Sequence, residues 1–163
     1  MSGKAWVYGD KIDTDILAPG WAMKLDADAL ASHCLAAVDP GFAPGVAVGD
    51  VVIGGEDFGI GSSREQAAIS LKQLGVAAVM ARSFARIFYR NAINIGLPAI
   101  QLPPDARIET GDSVSFDLAE GVVRNETRGS EYAIAPMPEH LREMIAAGGM
   151  MNTLKRRFGQ NGD

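Results

Sequence analysis

At 163 residues, 47% hydrophobic and 21% charged, the chain has the size and composition of one compact globular domain with its own core. A net charge of −5 argues against a general nucleic-acid surface, and no apolar run approaches the length of a membrane span. One cysteine, Cys34, excludes an internal disulfide framework, and with only His33 and His140 beside it the chain lacks ligands for a zinc or iron–sulfur site of its own.

In chain order, "AWVYG" reads as a first strand and "DKIDTDILAPGW" as a polar loop ending at Pro19-Gly20. "DADALASHCLAAV" has helical spacing, with Asp26 or Asp28 as its cap and His33 and Cys34 on a half-buried helix. Pro40, Gly41, Pro44 and Gly45 form a loop before the strand "DVVIGG". The segment "GEDFGIGSSREQAAISLKQLG" then turns into a helix over about 63–74, stopped by Gly75. "VAAVMARS" is a continuous apolar run of the kind that forms a buried parallel strand. "FARIFYRNAINIG" is helical, with Phe84, Ile87, Phe88 and Ile95 along one side, and "LPAIQL" is another strand.

Strand–helix–strand–helix–strand predicts a parallel sheet with right-handed crossovers and flanking helices, an α/β fold. After Pro103-Pro104, "SVSFDL", "GVVRNE" and "EYAIAPM" read as short strands, with turns at Glu120-Gly121 and around Gly129. A last helix, "PEHLREMIAAGG", precedes a basic and then polar tail over about 151–163, expected to fray or dock on a partner.

The densest chemistry lies in "GSSRE". Ser62 and Glu65 fit the S-x-x-E capping box of a helix start. Gly59 and Gly61 allow a close backbone approach that a cap does not require. Free amides at a helix start attract anions, and Arg64 in a first turn opposes the helix dipole unless it faces a bound carboxylate or phosphate. The partial G-x-G also imitates a dinucleotide fingerprint, but Arg64 replaces its third glycine, and Glu56 and Asp57 bring negative charge to the pyrophosphate position. Asp10, Asp13 and Asp15 lack the spacing of a calcium loop; they read as a solvated turn, or as carboxylates facing a metal or a basic residue from elsewhere. Arg82, Arg86 and Arg90 recur every four residues as a basic stripe, either solvated surface or a face for an acidic ligand or partner chain.

Together "YGDKIDTDILAPG", "GEDFGIGSSREQA" and "ARSFARIFYRNAINIGLPAI" resemble, in order and spacing, the small subunits of the isopropylmalate and homoaconitate dehydratases. These are the equivalent of the swivelling domain of aconitase. The likeness runs from about Trp6 to Gln101 and is greatest to the short, archaeal-type form. It implies a swivelling β/β/α domain and a hydro-lyase that isomerises a 2-hydroxy di- or tricarboxylic acid by dehydration and rehydration. It implies that a large partner subunit carries a [4Fe–4S] cluster whose open iron takes the substrate hydroxyl. By motif it makes Ser62 the base, Ser63 and Arg64 carboxylate-binding groups, and Asp15 an active-site aspartate.

Two departures bear on chemistry and substrate. Ile60 stands where many relatives have cysteine. In "PGWAMKLD", Met23 stands at the position of an arginine that homoaconitate enzymes use for a distal carboxylate, followed by Lys24. An apolar Met23 favours the branched alkyl group of isopropylmalate, the acid of leucine biosynthesis; Lys24 turned inward would favour homoaconitate, and a dimethylmalate-like acid is the third candidate. The expected protein is thus a cytoplasmic enzyme subunit, active only in a heteromer. A non-catalytic binding or regulatory module of the same fold is the alternative of another class, and an NADP-dependent oxidoreductase the third.

Overall fold

The computed structural model describes residues 2–155. Seven strands form one mixed sheet in the order β4-β3-β2-β1-β5-β6-β7. The parallel part comprises β1 (Gly3–Val7), β2 (Val51–Ile53), β3 (Ala78–Ala81) and β4 (Ala99–Gln101). β5 (Ser113–Asp117) pairs antiparallel with β1, and β6 (Val122–Asn125) and β7 (Ser130–Ala133) continue as an antiparallel meander.

Between strands lie α1 (Thr14–Leu17), α2 (Ala27–Ala31), α3 (Phe42–Gly45), α4 (Gln66–Gln73) and α5 (Arg86–Asn94), and α6 (Glu139–Ala146) follows the meander. Strand order advances in one direction from β1 to β4. Crossovers of one hand therefore place their helices on one face, where α4 packs against α1, α2 and α5, and α6 against α5.

Register shows how the two faces are filled. Trp6, Val52, Val79 and Ala99 lie side by side and join the core under the helices. Ala5, Val51 and Ala78, with Ile53, Met80 and Ile100, point the other way. Among the described residues no helix covers that second face. Val114 and Val123 of the meander pack on it instead, with Leu102, Ala106 and Ile108, so the sheet curls over its own back. This double coverage is why β2 and β3 are buried at every position, while β6 alternates.

The expected α/β architecture with a partly parallel sheet and flanking helices stands, with local corrections. The polar loop after β1 contains α1, whose N-cap Asp13 accepts the Ile16 amide at 2.8 Å. The Pro/Gly loop contains α3, which sets Phe42 edge-on to Trp6 at 5.4 Å and to Tyr8 at 6.1 Å. Asp26, not Asp28, caps α2, and that helix stops at Ala31, so His33 and Cys34 sit in the turns after it. On α5 the buried residues are Phe88, Ala92 and Ile93; Ile87 faces outward, 49% exposed. Of the expected tail, 151–155 are helical, and 156–163 lie outside the described residues.

Candidate functional site

The loops leaving β1 and β2 at their carboxyl ends are laced together by backbone. Lys11 N–H donates to Glu56 O at 2.8 Å, Gly59 N–H to Ile12 O at 2.7 Å, and Thr14 N–H to Ile60 O at 2.9 Å. The Ser62 amide then donates to the Thr14 hydroxyl oxygen at 3.0 Å. The "DTD" and "GSSRE" segments, far apart in sequence, thus form one surface at the strand ends, the usual ligand side of an α/β sheet.

Two glycines permit this approach. Gly59 has φ +83°, and a Cβ there would lie 2.2 Å from Phe88 Cγ, within the packed trio Phe58, Phe84 and Phe88 beneath the loop. Gly61 has φ +120°, and its Cβ would lie 2.9 Å from Thr14 Oγ1. Larger residues would separate the segments.

Ser62 and Ser63 are exposed, and the Ser62 hydroxyl oxygen is 3.2 Å from that of Thr14. The Ser63 carbonyl accepts from Asn91 Nδ2 of α5 at 3.2 Å. Arg64 Nη1 donates to Ala18 O at 2.8 Å and to Asp15 Oδ1 at 3.3 Å. The same Asp15 oxygen accepts the Gly20 amide at 2.9 Å. That amide first, and Arg64 second, hold the Asp15 carboxyl below the usual carboxylate range, so it stays charged. The remaining guanidinium nitrogens of Arg64 have no hydrogen-bond acceptor among the described residues, which leaves part of its fork for an anion.

Met23, at the end of a 3₁₀ turn over Gly20–Ala22, is half-buried against the helix-side core, and Lys24 beside it is exposed. Asp10 accepts the Glu56 amide at 2.8 Å, so the three aspartates do separate work: Asp10 ties the loops, Asp13 caps α1, and Asp15 meets a basic residue from elsewhere. Among the described residues no group of three or more His, Cys, Asp or Glu is placed to hold a metal. Cys34 is fully buried, and burial pushes its thiol well above the ordinary range.

The capping box is not formed. α4 begins at Gln66 with Glu65 in the cap position, and no side-chain cap bond is made there. Gly61 takes φ +120°, and the Ser62 amide goes to Thr14 Oγ1 rather than to a local cap. Arg64 therefore lies ahead of the helix, held by Ala18 and Asp15, and the first-turn dipole argument does not apply to it. The arginine stripe is likewise broken: Arg86 and Arg90 lie on α5, but Arg82 is in the loop after β3. All three are exposed and make no ion pair among the described residues.

Sequence reasoning passed over Thr14, although it is the centre of "DTD". At 3% exposure, a hydroxyl between two capping or pairing aspartates is the signal that marks it. It also passed over Trp21, 71% exposed and edge-on to His33 at 4.6 Å, in an open groove with Asp15, Ile16 and Pro19.

Comparison with known proteins points the same way as the geometry. The family model "Aconitase C-terminal domain" matches residues 48–105. The chain is 44% identical to the 3-isopropylmalate dehydratase small subunit of Nautilia profundicola, over 99% of this chain and 98% of that one. It is 48% identical to the methanogen homoaconitase small subunit of Methanothermobacter thermautotrophicus, over 93% and 89% respectively. A crystal structure described as 3-isopropylmalate dehydratase from Methanocaldococcus jannaschii superposes with a TM-score of 0.92 at 44% identity, covering 99% of this chain and 96% of that one.

Proposed function

Because the chain belongs to the family of 3-isopropylmalate dehydratase and homoaconitase small subunits, we propose that it is the small subunit of a hydro-lyase acting on a 2-hydroxy dicarboxylic acid. The reaction is the interconversion of 2- and 3-isopropylmalate in leucine biosynthesis, carried out in the cytoplasm by a complex with a large subunit. The observation that carries this reading is that the two laced loops bring an exposed Ser62, joined to Thr14, onto the same surface as Arg64 paired to Asp15.

Ser62 takes the proton from the carbon next to the hydroxyl-bearing one. With Ser62 present as its alkoxide, the C–H bond breaks, the proton joins Ser62 Oγ, and the electron pair becomes the C=C bond as the neighbouring C–OH bond breaks and hydroxide leaves towards the large subunit. Rehydration runs the same steps backward with the hydroxyl delivered to the other carbon. The free edge of the Arg64 fork binds a substrate carboxylate, with the Ser63 hydroxyl beside it, and fixes which carbon faces Ser62. Asp15, kept charged, holds Arg64 in place.

A serine hydroxyl is a weak acid, and its oxyanion is tolerated only in a preorganised setting without bulk water. Here Ser62 is exposed, so the large subunit has to supply the second wall. The [4Fe–4S] cluster belongs to that subunit, where its iron acts as a Lewis acid; the donors of this chain do not fit one, since its single thiol is sealed in the core.

The apolar Met23 supports the alkyl-bearing substrate over one with a third carboxylate, and Met23→Arg should move the preference towards homoaconitate. An unchanged substrate profile would remove Met23 from that role. The decisive assay is anaerobic turnover of the co-purified complex. Ser62→Ala should assemble normally and lose at least about a thousandfold in kcat. Turnover by the isolated chain, or full activity of Ser62→Ala, would overturn the reading.

A further inference from the structure

We infer that Thr14 is the positioning residue that makes Ser62 a usable base, by donating its hydroxyl proton to Ser62 Oγ. The inference rests on the reading of Ser62 as proton acceptor. At 3.2 Å between the two oxygens, distance alone leaves the direction of the bond open. The backbone settles it. The Ser62 amide already donates to Thr14 Oγ1 at 3.0 Å, which makes Thr14 an acceptor there and leaves its own proton to be placed.

Among the described residues that proton has one acceptor in reach. Thr14 is 3% exposed, so bulk water does not compete for it. The other polar groups of Thr14 are spoken for: its N–H donates to Ile60 O, and its carbonyl accepts the Ala18 amide within the α1 turn. Among the described residues, Thr14 Oγ1 meets only the amide and the hydroxyl of Ser62. A buried donor left unpaired is costly, so the Thr14 proton points at Ser62 Oγ. In the resting state Ser62 holds its own proton on the outward side; that proton passes to water as the base forms, which leaves a lone pair facing the approaching substrate carbon.

The consequence is differential. While Ser62 is neutral, the bond is ordinary; once Ser62 has lost its proton, the bond becomes charge-assisted and roughly twice as strong. Thr14 thereby lowers the pKa of Ser62. Neither other candidate serves as well. The helix start lies beyond Ser62, at Gln66, and the Arg64 nitrogen fixed by this chain is turned to Ala18 and Asp15. Gly61 is the enabling position, because a side chain there would press on Thr14 Oγ1.

The test uses the assembled complex and isopropylmalate turnover across pH. Thr14→Val keeps the shape and removes both the donor to Ser62 Oγ and the acceptor of the Ser62 amide, so the pH profile is the readout that isolates the donor. It should lower kcat about a hundredfold with little change in KM, and shift the limb on which rate rises with pH to higher pH. Thr14→Ser keeps the donor and should restore both to near the parent values. Parent kcat and pH profile in Thr14→Val would overturn the inference. So would equal impairment of the Val and Ser variants with an unmoved profile, which marks a packing role only.

If Thr14→Val does not assemble, Thr14→Cys, a weaker donor, must still move the limb upward, and an unmoved limb overturns the inference equally. Ser62→Ala separates the two levels. An inactive Ser62→Ala with an unaltered Thr14→Val removes only the role of Thr14, whereas an active Ser62→Ala removes the base reading and this inference with it.

Discussion

In the parallel half, β2 and β3 are buried at every position, and the loops leaving β1 and β2 carry Asp15, Ser62, Ser63 and Arg64. In the antiparallel half, β5 to β7 turn Val114 and Val123 inward, and their tight turns carry none of these residues. Both halves bury polar groups, but to different ends. The side chains of Asp112 and Asn125 of the meander are closed on each other and on Arg107, Arg128 and Glu109, and among the described residues their side-chain hydrogen bonds are made within that half. Around Thr14, by contrast, the hydrogen bonds end at a hydroxyl that faces outward. The first arrangement holds a lid on the sheet, and the second holds something ready.

Substitutions can break or sharpen this contrast. The largest effect is expected at Phe58, fully buried beneath the Gly59 turn, where Phe58→Ala should cost about 3–5 kcal/mol in denaturant unfolding and remove turnover. Gly59→Ala comes next, at about 3 kcal/mol, because it combines positive φ with a collision against Phe88. If either variant kept full turnover, the phenylalanine floor would not be what positions the site.

Asn125→Ala should cost about 2 kcal/mol, since it strips a donor from buried Asp112, while kcat of the complex stays at the parent value. A fall in kcat at unchanged stability would dissolve the division between halves. This variant also has a pH signature. The Glu109 amide first, then Asn125, hold Asp112 below the usual carboxylate range, so their stabilisation is present at neutral pH and is lost as pH falls through that depressed value. The gap between parent and Asn125→Ala should therefore narrow in acid.

The smallest effect is at Asp15. Its carboxyl should titrate below the ordinary aspartate range by NMR, and Arg64→Gln should raise the midpoint only part of the way, because the Gly20 amide is the larger influence. A fully normal midpoint in Arg64→Gln would make the arginine the main cause.

The parallel half was legible because its signals are local and strong. "VAAVMARS" is apolar without interruption, as a strand covered twice must be, and Gly75 and Gly96 close the helices where expected. The meander was legible from alternation and turns. The failures share one cause. Ser62 and Glu65 carry a capping signature, yet Thr14, distant in sequence, takes the Ser62 amide, and tertiary pairing overrides the local pattern. α1 is four residues long and exists because Asp13 caps it and Ile60 accepts its first amide, so no periodicity announces it. Residue types pointed to Ser62, Arg64 and Asp15 through family resemblance. Thr14 needed coordinates, because its relevance lies in which atoms it touches.

The lacing of the two loops also limits how the protein can be redesigned. The segment bearing Met23 and Lys24 continues directly from the one paired to Ile60 and Ser62, so neither is an independent cassette. Transplanting the segment that spans 14–24 from a relative without its matching glycine–serine segment would break the pairing of Thr14 with Ile60 and Ser62. A chimera that exchanged both segments together would carry its geometry with it.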